Sequence, residues 1–164
     1  MATTSEMHLG KPGGGEGYRF DYRGMHRYYI ALPTFKARPL FLQQALIRPV
    51  LDALHGACLQ HHFDIYAYCF LPERLVMIAR GKSDQSDMKA FLSSFRAASS
   101  VVAEPALGHP LWRRKYLERV LRKTENTADA AAEIFSLPVK AGLVPQGSHY
   151  EFQGSFVKPG RETP

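Results

Sequence analysis

The sequence predicts an α+β fold of the ferredoxin-like type, a split βαβ arrangement with an antiparallel sheet and helices packed on one face. Three observations lead there. Short runs rich in β-branched and aromatic residues alternate with longer runs whose apolar residues recur at helical spacing. Their order is strand, helix, strand, strand, helix, strand, helix. The two middle strands lie within Tyr68–Gly81, YCFLPERLVMIARG, and are joined by a Leu-Pro-Glu-Arg corner.

The run HRYYIALPT (26–34) is short, β-rich and ended by Pro33, so it is the first strand. From about Leu42 to His61, Leu46, Val50, Leu51, Leu54, Cys58 and Leu59 follow a helical period. Pro49 must begin or kink that helix, because it lacks an N–H and clashes with the preceding turn. DIYAYCFL and RLVMIA are the second and third strands. The stretch SDQSDMKAFLSSFRAASSVVA carries an apolar stripe of Met88, Phe91, Leu92 and Phe95, with Ser83 or Asp84 as cap, and reads as a second helix. ALGHP breaks the chain, and YLERVLRK is the fourth strand. TENTADAAAEIFSL is a third helix, capped by Thr124 or Asn126 and ended by Pro138 and Gly142.

The 164 residues suit one domain able to bury a core of its own. Residues 1–17 are expected to be a disordered lead-in, residues 18–155 the domain and residues 156–164 a short tail. Cys58 and Cys69 read as two buried thiols in preference to a disulfide or a metal pair. Met1 is followed by polar residues, not by an apolar signal region, and no apolar run reaches membrane-spanning length. A cytoplasmic protein without membrane attachment is the expectation. The formal net charge is +6, and its placement matters more than its size. LWRRKYLERVLRK (111–123) holds six basic side chains against one acid, Glu118. Arg23, His26, Arg27, Lys36 and Arg38 form an earlier basic group, and aromatic residues are interleaved with both. Either cluster alone reads as a solvated face; the two together point toward a polyanion.

Four blocks of the chain resemble one family. They are YRGMHRYYIALPTFKARPLF, AYCFLPERLVMIARG, LWRRKYLERVLR, and IFSLPVKAGLV followed by YEFQGS. In this order, from about Tyr22 to Ser155, they are similar to the HUH-type single-tyrosine transposases, in the branch of REP-associated tyrosine transposases. The resemblance implies a divalent metal held by two histidines on alternate positions of one strand and a further polar ligand. It also implies a tyrosine on the C-terminal helix that attacks the scissile phosphate and becomes joined to DNA.

This sequence departs from the pattern at each such position. Where the family reads Met-Pro-Asn/Asp-His-hydrophobic-His, this chain reads Leu71-Pro72-Glu73-Arg74-Leu75-Val76. Arg74 and Val76 therefore replace the two histidines, and neither side chain ligates a metal. Glu133 stands where the tyrosine belongs, and no tyrosine lies between Tyr116 and Tyr150. A divalent-metal cofactor is thus not expected. His61 and His62 are neighbours on a helix and do not share a face, and His26, His109 and His149 are scattered. Arg74 either meets a phosphate with a fixed charge or is a surface arginine left by drift.

Three functions follow. The first is a transposase-like protein that binds DNA, single-stranded or hairpin, as a homodimer, and neither cleaves nor joins it. Its phosphate contacts are expected at Arg113, Arg114, Lys115, Arg119 and Arg122, with Arg23, Arg27, Arg38 and Arg96 behind them. Trp112 reads as a core anchor before a base-stacking residue. The second is an active transposase with a rebuilt site. The third is a domesticated dimer that binds a partner other than nucleic acid; it gains if the basic residues scatter.

Overall fold

The computed structural model describes residues 20–157. The expected lead-in and residues 158–164 of the expected tail lie outside the described residues. The elements run β1 (Arg27–Pro33), α1 (Ile47–His61), β2 (Phe63–Leu71), β3 (Arg74–Gly81), α2 (Met88–Leu107), β4 (Leu117–Val120), α3 (Thr127–Phe135), α4 (Leu137–Lys140) and β5 (Gln153–Gly154). The sheet order is β4-β1-β3-β2-β5, with every pairing antiparallel. β3 thus lies between β1 and β2, which α1 connects, and β1 lies between β3 and β4, which α2 connects. This is the split βαβ arrangement expected from the element order.

Local chemistry accounts for the boundaries. Pro49 sits in the first turn of α1, where its missing N–H has no intrahelical acceptor to serve. His62 closes α1 in a left-handed conformation, with φ 62°. The side chain of Asp87, not of Ser83 or Asp84, caps α2 by accepting from the Ala90 N–H. Of the two caps offered for α3, Thr124 and Asn126, it is Asn126 that accepts from the Asp129 N–H. β3 ends at Gly81, where a Cβ would lie 2.1 Å from the Gly24 carbonyl oxygen, so only glycine fits against that turn.

Strand alternation distributes the core over two faces. Tyr28, Ile30 and Leu32 of β1 and Leu75, Met77 and Ala79 of β3 meet α1 and α2. Ala31, Val76 and Ile78 point the other way, with Tyr66, Ala67, Cys69 and Leu71 of β2. A bulge at Tyr66 resets the alternation of β2. The expectation of helices on one face holds for α1 and α2 and is corrected for α3. Ile134 of α3 is buried in the second cluster, against the opposite face of the sheet. The reason is that β2 and β3 are apolar on both sides, so an uncovered second face would stay in water.

β5 is an additional strand that no periodicity announced. It pairs with the outer edge of β2 at Tyr68 and Cys69. The Phe152 carbonyl accepts from the Phe70 N–H, and the Phe156 N–H donates to the Ile65 carbonyl. Phe156, assigned to the tail by sequence, packs its ring against His55 and Tyr68. Both cysteines are free and buried.

Candidate nucleic-acid interface

Two neighbouring regions at one end of the sheet hold many, but not all, of the residues singled out in the sequence. The first is on the α3 face, where β3 begins. Arg74 pairs with Pro33 of β1 and Leu71 of β2, two positions before Val76 and so on the same face. Val76 is fully buried between Ala31 and Cys69. The Arg74 guanidinium donates to the carboxylate of Glu73. Glu133 lies on α3 and is exposed.

Tyr29 completes this group and was not foreseen. It pairs with Arg119 across β1 and β4, and alternation turns it to the α3 face. Burial raises the pKa of its hydroxyl and Glu133 adds to the rise, whereas Arg74 and Arg119 oppose it. The phenol is therefore protonated at neutral pH and a weak nucleophile. Its signal in the sequence is only the alternation of YYIA; its neighbours on β4 and α3 come from elsewhere in the chain. Arg119 bonds Glu125 at 2.8 Å. Burial disfavours ionisation of Glu125, but hydrogen bonds from the Arg119 side chain and the Arg122 N–H, with both charges, more than offset it and hold its carboxyl below the ordinary value.

This donor set does not fit a divalent metal. A guanidinium has no lone pair to give, valine has no donor atom, and Glu133 is one carboxylate on an exposed helix turn. Among the described residues, no group of three or more His, Cys, Asp or Glu side chains is placed to hold one.

The second region is a basic edge beside Pro33. The Arg113 N–H donates to the Pro33 carbonyl, the Phe35 N–H to the Leu111 carbonyl, and Thr34 bridges to Trp112. These bonds bring the loop after β1 against the loop before β4. Trp112 is the buried anchor, as the sequence suggested. Its indole N–H donates to Ser99 Oγ at 2.8 Å, and its ring meets Phe41 and Phe95. Lys36, Arg38, Arg113, Arg114 and Lys115 are exposed around it. No ion pair holds any of the five among the described residues. Pro33, Arg113, Arg114, Lys115, Tyr116 and Leu117 line a shallow groove along this edge.

The remaining cations are placed differently. Arg96 turns inward: its guanidinium donates to the carbonyls of Arg113, at 2.6 Å, and Arg114, at 3.3 Å, and lies 5.0 Å from the Tyr116 ring centre. Arg27 donates to the carbonyls of Glu125 and Arg122 and to Thr127 Oγ1. Arg23 is at the far end of β1, near Asp87 at 3.7 Å. Arg122 is exposed beyond the end of β4, on that same far side. Seven residues of strand separate the two ends by roughly 20 Å, at about 3.3 Å per residue.

No family model matches the sequence, and no curated protein matches it. Solved structures do. A REP-associated tyrosine transposase, determined bound to a REP hairpin, superposes with a TM-score of 0.67 at 20% identity, over 85% of this chain and 82% of its own. A protein of Deinococcus radiodurans R1, designated a candidate transposase, superposes with a TM-score of 0.51 at 16% identity, over 76% of this chain and 96% of its own. At these identities what is shared is the fold, and the chain has the fold of these transposase structures.

Proposed function

We propose that this chain is a DNA-binding protein on a transposase fold, which takes single-stranded or hairpin DNA at its basic edge and neither cleaves nor joins it. The observation that carries this reading is the convergence of Lys36, Arg38, Arg113, Arg114 and Lys115, exposed and without acidic partners among the described residues, beside the start of β3. Unpaired cations on one edge are what a phosphate backbone neutralises with release of counterions. The solved neighbour bound to a hairpin supports the class of ligand.

Absence of cleavage rests on Arg74, Val76 and Glu133, which supply neither a metal site nor an aromatic nucleophile. The phosphate contacts narrow accordingly to Arg38 and Arg113–Lys115, joined by Lys36. Arg27, Arg96 and Arg119 serve the protein's own structure, while Arg23 and Arg122 lie at the other end. A two-fold homodimer would present two such edges. No helix among the described residues is long and apolar enough to cross a membrane, and we place the protein in the cytoplasm.

The test is fluorescence anisotropy with a single-stranded hairpin oligonucleotide at two salt concentrations, with and without manganese, followed by a denaturing gel. Salt-sensitive binding with no metal effect and no adduct is expected. A metal-dependent covalent adduct would overturn the inactive reading, and no binding at low salt would overturn DNA binding.

A further inference from the structure

The loop after β1 holds two consecutive non-glycine residues in the left-handed region, Lys36 at φ 53° and Ala37 at φ 54°. Side chains rarely adopt this conformation, and a strained pair persists only where its surroundings over-determine it. The surroundings here do so. Thr34 is fully buried, and its hydroxyl lies 2.6 Å from the Arg38 carbonyl and 3.1 Å from that of Glu73. The Thr34 N–H donates to Glu73 and the Phe35 N–H to Leu111. Two elements far apart in sequence thus grip the loop at its base.

The grip displays a particular set of groups. The half-buried Phe35 ring is stacked on His109, with centres 5.2 Å apart and planes 22° apart. The Lys36 ammonium lies 5.3 Å, and the Arg38 guanidinium 5.7 Å, from the centre of the same Phe35 ring. Two cations share one ring, and among the described residues no ion pair relieves their repulsion. Phosphates beside them would relieve it, and the partly exposed His109 ring, backed by Phe35, offers its outer face to a flat apolar group. Phosphates alternating with flat aromatic bases are the chemistry of a single nucleic-acid strand.

We infer that His109, backed by the Phe35 ring, forms a stacking subsite for an unpaired base, with Lys36 and Arg38 holding the adjoining phosphates. This rests on the DNA-binding reading above and adds to it where the base sits and why the loop is strained.

The experiment compares the full chain's binding to labelled oligothymidylate with its binding to an abasic strand of equal length, which has the phosphates without the bases. Thymidylate is expected to bind about tenfold more tightly, the order of one stacked base. His109→Ala should reduce that preference and leave abasic binding unchanged, whereas Phe35→Leu, which also removes the ring beneath Lys36 and Arg38, should reduce the preference and weaken abasic binding as well. Lys36→Ala with Arg38→Ala should weaken both strands alike and lower the salt slope by roughly 1.4, at about 0.7 per phosphate contact. His109 lies in a partly exposed loop, so its variant remains informative should Phe35→Leu fail to fold, which circular dichroism would report. Equal, salt-sensitive binding of both strands overturns the subsite and leaves the DNA-binding reading standing. Displacement of either strand by polyglutamate as readily as by unlabelled thymidylate assigns the loop to acidic peptides and overturns the subsite. No binding of any strand at low salt overturns both readings.

Discussion

Arg27 stands at the start of β1 and turns its guanidinium to three acceptors on the connection from β4 to α3. It is a cation with a structural task, and that gives a test separable from DNA binding. Arg27→Ala should lower unfolding free energy by about 2 kcal/mol, since it strands carbonyls near the protein surface. Urea denaturation measures the loss, and the salt slope of DNA binding should not change. Glu125 beside it makes a pH prediction. Its carboxyl is held below the ordinary value of 4.5 in the folded protein. A depressed carboxyl contributes stability that is present above its unfolded value and is lost as pH falls through the folded one. Stability should therefore decline below about pH 4.5, and Glu125→Gln should make that decline shallower in denaturation curves at pH 7 and at lower pH. An unchanged slope would show that the Arg119 pair contributes nothing in solution.

At the scale of elements, the segment between α2 and β4 has little regular structure, yet its backbone is held. Arg96 reaches it from α2, and Trp112 pins it to the core through Ser99. Arg96→Ala removes the donor to two carbonyls and the cation over Tyr116. Amide hydrogen exchange at residues 113–116 should accelerate by about tenfold, the order expected for one lost charged hydrogen bond, while exchange in β1 and β3 stays slow. Uniform acceleration across the sheet would instead make Arg96 a determinant of global stability. α3 illustrates a different dependence. Its nine residues are too few to be stable alone in water, and it holds its place by covering Ala31, Val76 and Ile78. Glu133 is exposed on α3 and is carried to the Tyr29 side of the sheet by the packing of Ile134, its neighbour.

At the scale of the whole molecule, the described cations divide along β1. Among the described residues, Lys36, Arg38, Arg113, Arg114 and Lys115 gather at the Pro33 end without an ion pair, while Arg23, Arg122 and Lys123 lie at the other. A single strand bound at the Pro33 end should therefore respond to the loop 113–115 far more than to Arg23 or Arg122. Replacing Arg113, Arg114 and Lys115 together by alanine should reduce the slope of log affinity against log salt by about 2, at roughly 0.7 per phosphate contact on a single strand. The double change Arg23→Ala, Arg122→Ala should leave it near the starting value. Equal effects from the two sets, measured by anisotropy titration, would mean that DNA spans the molecule from end to end.

Much of the architecture was legible in the chain. Periodicity is a local property, so the strands of β1 to β3 and the helices α1 and α2 followed from residue spacing, while the choice of Asn126 over Thr124 as the cap of α3 came from the structure. The unsuitability of Arg74 and Val76 as metal ligands is equally local, being a matter of side-chain chemistry. The two-residue β5 was not legible, because its partner is the edge of β2 and not its own sequence. The reverse-side placement of α3, the company Tyr29 keeps and the inward turn of Arg27 and Arg96 belong to the tertiary structure alone. Arg27 finds its acceptors 95 or more residues away, and no short-range pattern encodes such a distance. The sequence by itself determined which side chains are cationic and which elements carry them. Only the folded chain decided which cations bind its own carbonyls and which remain free at one edge, because a long flexible side chain goes to the nearest unsatisfied acceptor in space.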